Sequence, residues 1–340
     1  MQKSNKINLG INILRMWMAF EVILLHRMSW KGYDDLFFDF LKSCELFSVP
    51  VFVIIAFYFG AKTIESKDAT RIGRRFVRLI IPQVGWALVC WIVYVLTDII
   101  FMHHLDHSFS DLLIAIISGC RQNTNPSTWF QAVLILLTGF YCAAFKVLRN
   151  RHAWIFVVFS FLLALFIQFD GSYFRFFSDK PYELLNTIGR VFEIMPFAAV
   201  GLLLSHFKVY EKLMKRRYIV ICLSLLMFFA GFHITFPNVE DFFGGIYPLY
   251  MALFLFLIFL FLPLEDIDDR YENVIQTASR FTLGIYCSHR LAYGILDIIY
   301  EITGITPGSF AKCLITYAVC YAVSYIVSLF PGKIFRNMVD

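Results

Sequence analysis

The sequence predicts an all-α, polytopic integral membrane protein with about ten transmembrane helices and both termini in the cytoplasm. Three observations lead to this fold class. The 340 residues are 59% hydrophobic and only 16% charged. About ten apolar runs are long enough to cross a bilayer. Most Lys and Arg residues lie in every second segment between these runs, which would place them on one side of the membrane. A single transmembrane domain is therefore predicted over residues 1–340.

The composition excludes the other broad classes of protein. Soluble domains carry roughly 25% charged residues, and even a 300-residue domain buries only about 75% of the surface that its unfolded chain exposes. The 39 Phe, 17 Tyr and 6 Trp residues, with a mean hydropathy of +0.68, exceed what such a core can hold. Intrinsic disorder requires the opposite composition.

The apolar runs give the predicted spans in chain order. A transmembrane helix needs about 20 mainly apolar residues. A shorter apolar segment, 109–120, is too short to span and is expected to be re-entrant or interfacial. The spanning runs lie near 7–28, 44–62, 76–101, 128–147, 153–169, 187–207, 218–236, 243–263, 281–300 and 310–330.

The Lys and Arg residues give the orientation. With the N-terminus inside, 20 of the 30 Lys and Arg residues fall in inner segments and eight in outer segments. The other two, Arg15 and Arg290, fall within spans. Because the inner segments of membrane proteins carry such an excess of basic residues, we expect both termini on the inner side.

The first run contains a charged residue and a histidine in a suggestive register. A charge near the bilayer centre costs at least ~2.5 kcal/mol, so such residues usually face a cavity and serve a function. Arg15 and His26 are 11 residues apart, so on a helix they share one face and lie about 16 Å apart along the axis. An anionic donor held at Arg15 would place its reactive end near His26. Alternatively, Arg15 reaches back to the inner headgroups and His26 marks the outer interface.

A second basic cluster, RIGRRFVRLIIP, opens the third run. Arg75 and Arg78 are three residues apart, so a helix places them on one face. Arginine binds phosphate through paired hydrogen bonds. The alternative is a basic loop that only sets the orientation of the protein, and this would account for Arg71 and Arg74. It accounts less well for Arg78, because that residue already lies in the apolar run.

A third cluster, GIYCSHR, lies in the ninth run and contains Tyr286 and His289. His289 is either a functional imidazole or a hydrogen-bonded histidine of the interior. The sequence has no HExxH, GxSxG or P-loop pattern. The spacing of His103, His104 and His107 in an outer loop would also suit a metal, but we favour solvated side chains and predict no metal site.

Taken together, these clusters resemble acyltransferase family 3, the integral membrane acyltransferases of bacteria and some eukaryotes. No single segment is specific, but six similar segments follow in the same order over most of the chain. They are ILRMWMAFEVILLH with Arg15 and His26, SVPVFVIIAFYFGAK, RRFVRLIIP with Arg75 and Arg78, STWFQAVLIL with Trp129, MPFAAVGLLL, and TLGIYCSH with Tyr286 and His289.

The resemblance implies an activity and a location. It implies an O-acetyltransferase of the bacterial cytoplasmic membrane that transfers an acetyl group from cytoplasmic acetyl-CoA to a sugar hydroxyl. The acceptor sugar belongs to a cell-surface polysaccharide or to its lipid-linked precursor. Arg15, Arg75 and Arg78 are then the expected ligands of acetyl-CoA. His26 is the expected general base, with brief covalent transfer of the acyl group to His26 as the alternative.

The remaining expectations concern the acceptor and the partners. Tyr286 or His289 is expected to orient the acceptor or to stabilise the oxyanion, and Trp129 to contact the substrate. The alternatives are a transporter or flippase for a glycan or lipid intermediate, a non-catalytic scaffold, and transfer of another acyl group such as succinyl. The expected partners are acyl-CoA, the glycan acceptor and the bilayer, without nucleic acid. A homo-oligomer is left open.

Overall fold

The computed structural model describes residues 8–33, 35–102, 108–119, 126–169, 183–233 and 246–339. Helices form the regular structure of these ranges, which contain no β-strand. The all-α prediction is confirmed, and each of the apolar runs predicted as a span contains a helix.

The described helices of the first half of the chain include several that form the site described below. Their order follows the predicted runs, with two additional short helices between them. They are α1 (Leu9–Arg27), α2 (Leu36–Glu45), α3 (Ser48–Ile64), α4 (Ala69–Thr97), α5 (Phe109–Ser118), α6 (Trp129–Val147) and α7 (Asn150–Phe169).

The second half continues in the same way and ends in a short helix. A polar helix, α12, follows a short segment that contains Glu265, Asp266 and Asp268. The elements are α8 (Glu183–His206), α9 (Val209–Leu213), α10 (Arg217–His233), α11 (Ile246–Phe261), α12 (Asp269–Arg280), α13 (Thr282–Thr303), α14 (Ser309–Leu329) and α15 (Lys333–Val339).

Several described helices are long and apolar enough to cross a membrane, which agrees with a multi-pass protein. Six meet this criterion, and α2 with α3 makes a seventh if the two helices, bent by 52°, count as one broken span. Two further apolar helices, α10 and α11, have 17 and 16 residues. The count of about ten spans and the side of the termini remain predictions.

The centre of the fold is formed by α1 and α3. Leu14 and Met18 of α1 and Phe57 of α3 are fully buried, and α1 contacts α3, α11, α12, α13 and α14. Close packing depends on small residues, as is common between membrane helices. A Cβ on Gly201 of α8 would lie 2.6 Å from the carbonyl oxygen of Ile54 in α3. Residues of α1, α3, α4 and α13 line one common space.

Candidate active site

A cavity of about 1230 Å³ opens between the beginning of α1, the end of α3 and the first turns of α4. The wall also includes the end of α11, the segment after it, and residues of α6, α9, α12 and α13. Cations outnumber carboxylates there, so the cavity favours an anionic ligand. The basic residues of the wall are Arg15, Lys62, Arg71, Arg74, Arg75 and Arg78, and the acidic residues are Glu265 and Glu272.

Asp68 caps α4, the helix that presents most of these arginines. Its carboxylate accepts hydrogen bonds from the backbone N–H groups of Thr70 (2.8 Å) and Arg71 (3.4 Å), which lack partners within the helix. The bond from Thr70 stabilises the charged carboxylate and lowers the pKa of Asp68. Arg75 and Arg78 follow on this helix, and both line the cavity.

Arg75 is held against α3 by three contacts. Its Nη2 donates a hydrogen bond to the carbonyl oxygen of Ala56 at 3.2 Å, and its Cζ lies 5.7 Å from the ring centroid of Phe57. Gly60 makes room for the guanidinium, because a Cβ there would lie 2.2 Å from Nη1 of Arg75. The Nε of Arg75 is buried and has no hydrogen-bond partner in the described structure. The guanidinium therefore keeps donors for a ligand.

Arg15 reaches the same cavity from α1. This helix runs without interruption from Leu9 to Arg27, so the predicted helix carrying both Arg15 and His26 is confirmed. At 1.5 Å per residue the two residues lie about 16 Å apart along the axis. One helix therefore runs from the basic cavity to the histidine.

Three aromatic residues of the cavity wall lie next to one another. The rings of Phe130 and Phe52 lie 5.2 and 6.2 Å from the ring of Tyr286, measured between centroids, and all three residues line the cavity. The Tyr286 ring also lies 5.9 Å from the ring of His289. Tyr286 therefore stands between the basic cavity and the histidine.

His26 and His289 form a stacked pair, with ring centroids 5.4 Å apart and planes inclined by 14°. His289 is fully buried. Its Nδ1 lies 2.5 Å from the carbonyl oxygen of Tyr286, and because a carbonyl only accepts, Nδ1 carries the ring proton. His26, in contrast, is exposed. The pair thus combines an accessible imidazole with one fixed in the interior.

Two arginines join α1 to α13 beside this pair. Arg290 donates from Nη2 to Nδ1 of His26 at 3.0 Å. Arg27 forms a two-bond ion pair with Asp297, with an Nη1 to Oδ2 distance of 2.6 Å, and its Cζ lies 5.5 Å from the ring centroid of Tyr293. Both arginines thus link α1 to α13, and Arg290 does so through an imidazole of the pair.

Trp129 lies at the beginning of α6 and is buried. The Cζ of Arg190 lies over its ring, 4.2 Å from the centroid, which is a cation–π contact. Arg190 also donates to Oδ1 of Asn186 at 3.3 Å. Gly119, with φ of 67°, is needed behind the tryptophan, because a Cβ there would lie 2.5 Å from the backbone nitrogen of Trp129.

The structure places the predicted site residues in two adjoining groups and one neighbouring position. The first group lines the cavity, the second lies beyond Tyr286, and Trp129 precedes the cavity residue Phe130. The cavity group is Arg15, Arg75, Arg78 and Tyr286, and the second group is His26 and His289.

The sequence did not identify three features of the site. Gly60 looked like an ordinary glycine of an apolar helix, and nothing in the sequence pairs it with Arg75. Phe52 and Phe130 were indistinguishable from the other aromatic residues. The sequence does mark Arg290 as unusual, because it is a charged residue within a predicted span. Its hydrogen bond to His26 of α1 was not predictable from the sequence.

Among the described residues, no three His, Cys, Asp or Glu side chains are grouped as metal ligands would be. The loop histidines His103, His104 and His107 lie outside the described residues.

Comparison with known families gives a match over most of the chain. The sequence model of the acyltransferase 3 family, described as an acyltransferase domain, matches residues 8–329. This range contains every residue of the site described above. The comparisons with curated proteins and with solved structures give no match.

Proposed function

The chain belongs to the acyltransferase 3 family, and on this basis we propose that it is an integral membrane O-acetyltransferase of the bacterial cytoplasmic membrane. Its donor is cytoplasmic acetyl-CoA. Its acceptor is a sugar hydroxyl of a cell-surface polysaccharide or of the lipid-linked precursor. The alternative donor is the CoA thioester of another short acyl group, such as succinyl, and it would bind at the same site.

The main support is that the basic cavity adjoins the histidine pair. Acetyl-CoA is a long anion with phosphates at one end and a thioester at the other. Arg15, Arg75 and Arg78 suit the phosphates, because arginine binds them through paired, charge-assisted hydrogen bonds. The roughly 16 Å from Arg15 to His26 along α1 suits the extended arm between phosphates and thioester. Tyr286 lies where that arm would pass from the cavity to the histidines.

His26 is the proposed general base. Its ring is exposed to an acceptor, and a positioned base of this kind contributes roughly 10²–10⁴-fold to a rate. His26 takes the proton of the acceptor hydroxyl while the oxygen bonds to the thioester carbonyl carbon. The carbon–sulfur bond then breaks, the CoA thiolate receives the proton, and the ester remains. His289 stacks on His26 and holds the plane of its ring.

Trp129 and Arg190 are the proposed contacts of the acceptor. Trp129 precedes Phe130 of the cavity wall, so an acceptor beside it lies near the end of the donor path. The guanidinium over the indole offers N–H donors to sugar hydroxyls.

A deletion strain tests the proposed function. Mass spectrometry of its surface glycans should reveal the loss of an ester. Wild-type protein should restore this ester, and His26→Ala, present in the membrane at the same level, should not. Full restoration by His26→Ala would contradict the role of the histidine. A glycan that fails to reach the surface, with no ester missing, would instead favour a transporter or flippase.

A further inference from the structure

Arg290 follows His289 on α13 and reaches across to α1. Its Nη2 lies 3.0 Å from Nδ1 of His26. A guanidinium has N–H donors and no acceptor. The Nδ1 of His26 must therefore accept this bond, and in the neutral imidazole the ring proton lies on Nε2.

This tautomer limits how His26 can act as a base. The Nε2 atom already carries a proton, so only the lone pair of Nδ1 can take the proton of a hydroxyl. In the structure, Arg290 donates a hydrogen bond to that lone pair. An acceptor hydroxyl must therefore replace Arg290 at Nδ1, which leaves the guanidinium directly beside the attacking oxygen.

Arg290 has unused donors for a second role. Its Nε is buried and has no hydrogen-bond partner in the described structure. No carboxylate of the described residues forms an ion pair with it, whereas the neighbouring Arg27 is paired with Asp297. A cation with spare N–H groups beside the reacting atoms suits a developing negative charge.

We propose that Arg290 is a further catalytic residue of the acetyl transfer, which rests on the function proposed above. At rest it holds His26 in the tautomer whose lone pair is on Nδ1. When the acceptor hydroxyl replaces it, the proton moves to Nδ1 and the new carbon–oxygen bond forms. Arg290 then donates to the oxygen of the former thioester carbonyl. The negative charge returns to re-form the carbonyl as the CoA thiolate leaves, and the thiolate takes the proton from Nδ1 of His26.

Steady-state kinetics of purified Arg290→Ala and Arg290→Lys test this role. Loss of an oxyanion donor typically lowers kcat by about 10²–10³-fold. We expect that loss in Arg290→Ala, with the KM for acetyl-CoA changed less than about twofold. The lysine variant should recover part of the rate, because it keeps a cationic donor. Added guanidinium ion should also raise the rate of the alanine variant.

Arg27→Gln is the matched control, because it breaks the neighbouring polar link between α1 and α13 without removing a contact of His26. Its kcat should change only a fewfold. Wild-type kcat in Arg290→Ala would overturn the proposal. An equal loss in Arg27→Gln, with no response to guanidinium, would assign Arg290 a structural role and also overturn it. If the wild-type protein forms no ester, the proposed function fails, and the role of Arg290 fails with it.

Discussion

Replacing Gly60 by alanine tests whether the position of Arg75 controls donor binding. The added Cβ would lie 2.2 Å from Nη1 of Arg75, whereas ordinary contact begins at 3.4 Å. The guanidinium must therefore retreat by about 1.2 Å, the difference between these distances. Its 3.2 Å hydrogen bond to the carbonyl oxygen of Ala56 would then lose its present geometry, and so would any bond that it offers to a phosphate.

The expected loss of affinity follows from one such bond. A hydrogen bond from a charged donor contributes about 1.5–3 kcal/mol, and each 1.4 kcal/mol is a factor of ten in Kd. The Kd of Gly60→Ala for acetyl-CoA should therefore rise roughly 10- to 100-fold. The helix itself should not weaken, because alanine is favoured over glycine in a helix interior by about 1 kcal/mol.

Isothermal titration of the purified protein with acetyl-CoA measures this change. Gly73→Ala is the matched control, since its Cβ would meet nothing within 4 Å in the same basic segment, and it should keep the wild-type Kd. In the Arg75→Ala background, Gly60→Ala should have no further effect, because the two residues act as one unit. A wild-type Kd for Gly60→Ala would refute this reasoning. It would also be refuted if Gly60→Ala raised the Kd by the same factor in the Arg75→Ala background as in the wild type.

Three other substitutions test separate parts of the site and the fold. Arg78→Ala removes a cation of the cavity wall and should raise the acetyl-CoA Kd severalfold in the same titration; an unchanged Kd would remove its assigned role. Trp129→Leu should raise the KM for the acceptor while the donor Kd stays constant, and a changed donor Kd would place Trp129 in the donor site instead. Gly201→Ala would put a Cβ 2.6 Å from a carbonyl oxygen of α3 and should destabilise the protein by roughly 1–3 kcal/mol. Thermal unfolding in detergent measures this effect against Gly294→Ala, whose Cβ meets nothing within 4 Å.

The positions of the helices were predictable because the apolar runs are long and have few interruptions. The second predicted run, 44–62, begins four residues before the helix that forms most of it. The structure instead begins α3 at Ser48, after a 52° bend from α2. Asp35 explains where α2 begins, because its carboxylate accepts hydrogen bonds from the backbone N–H groups of Phe37 and Phe38. An Asp before an apolar segment is a helix-start signal, so this boundary was available in the sequence.

The candidate site was predictable where it depends on one helix. The register of Arg15 and His26, and that of Arg75 and Arg78, needs only the helical period. The contact of His26 with His289 depends on how α1 packs on α13, and a helical period carries no information about that packing. Family resemblance supplied both histidines as candidates, and only the structure brings them to 5.4 Å.

Acetyl transfer by the purified protein, reconstituted in liposomes, tests the central claim most directly. Labelled acetyl-CoA is supplied with the surface glycan extracted from the deletion strain, and alkali-labile label in the glycan is counted. We predict label with wild-type protein and none with His26→Ala, although that variant should bind acetyl-CoA with the wild-type Kd. Transfer by His26→Ala at the wild-type rate would contradict the claim that His26 is the base. Absence of transfer by the wild type would contradict the acetyl transfer itself.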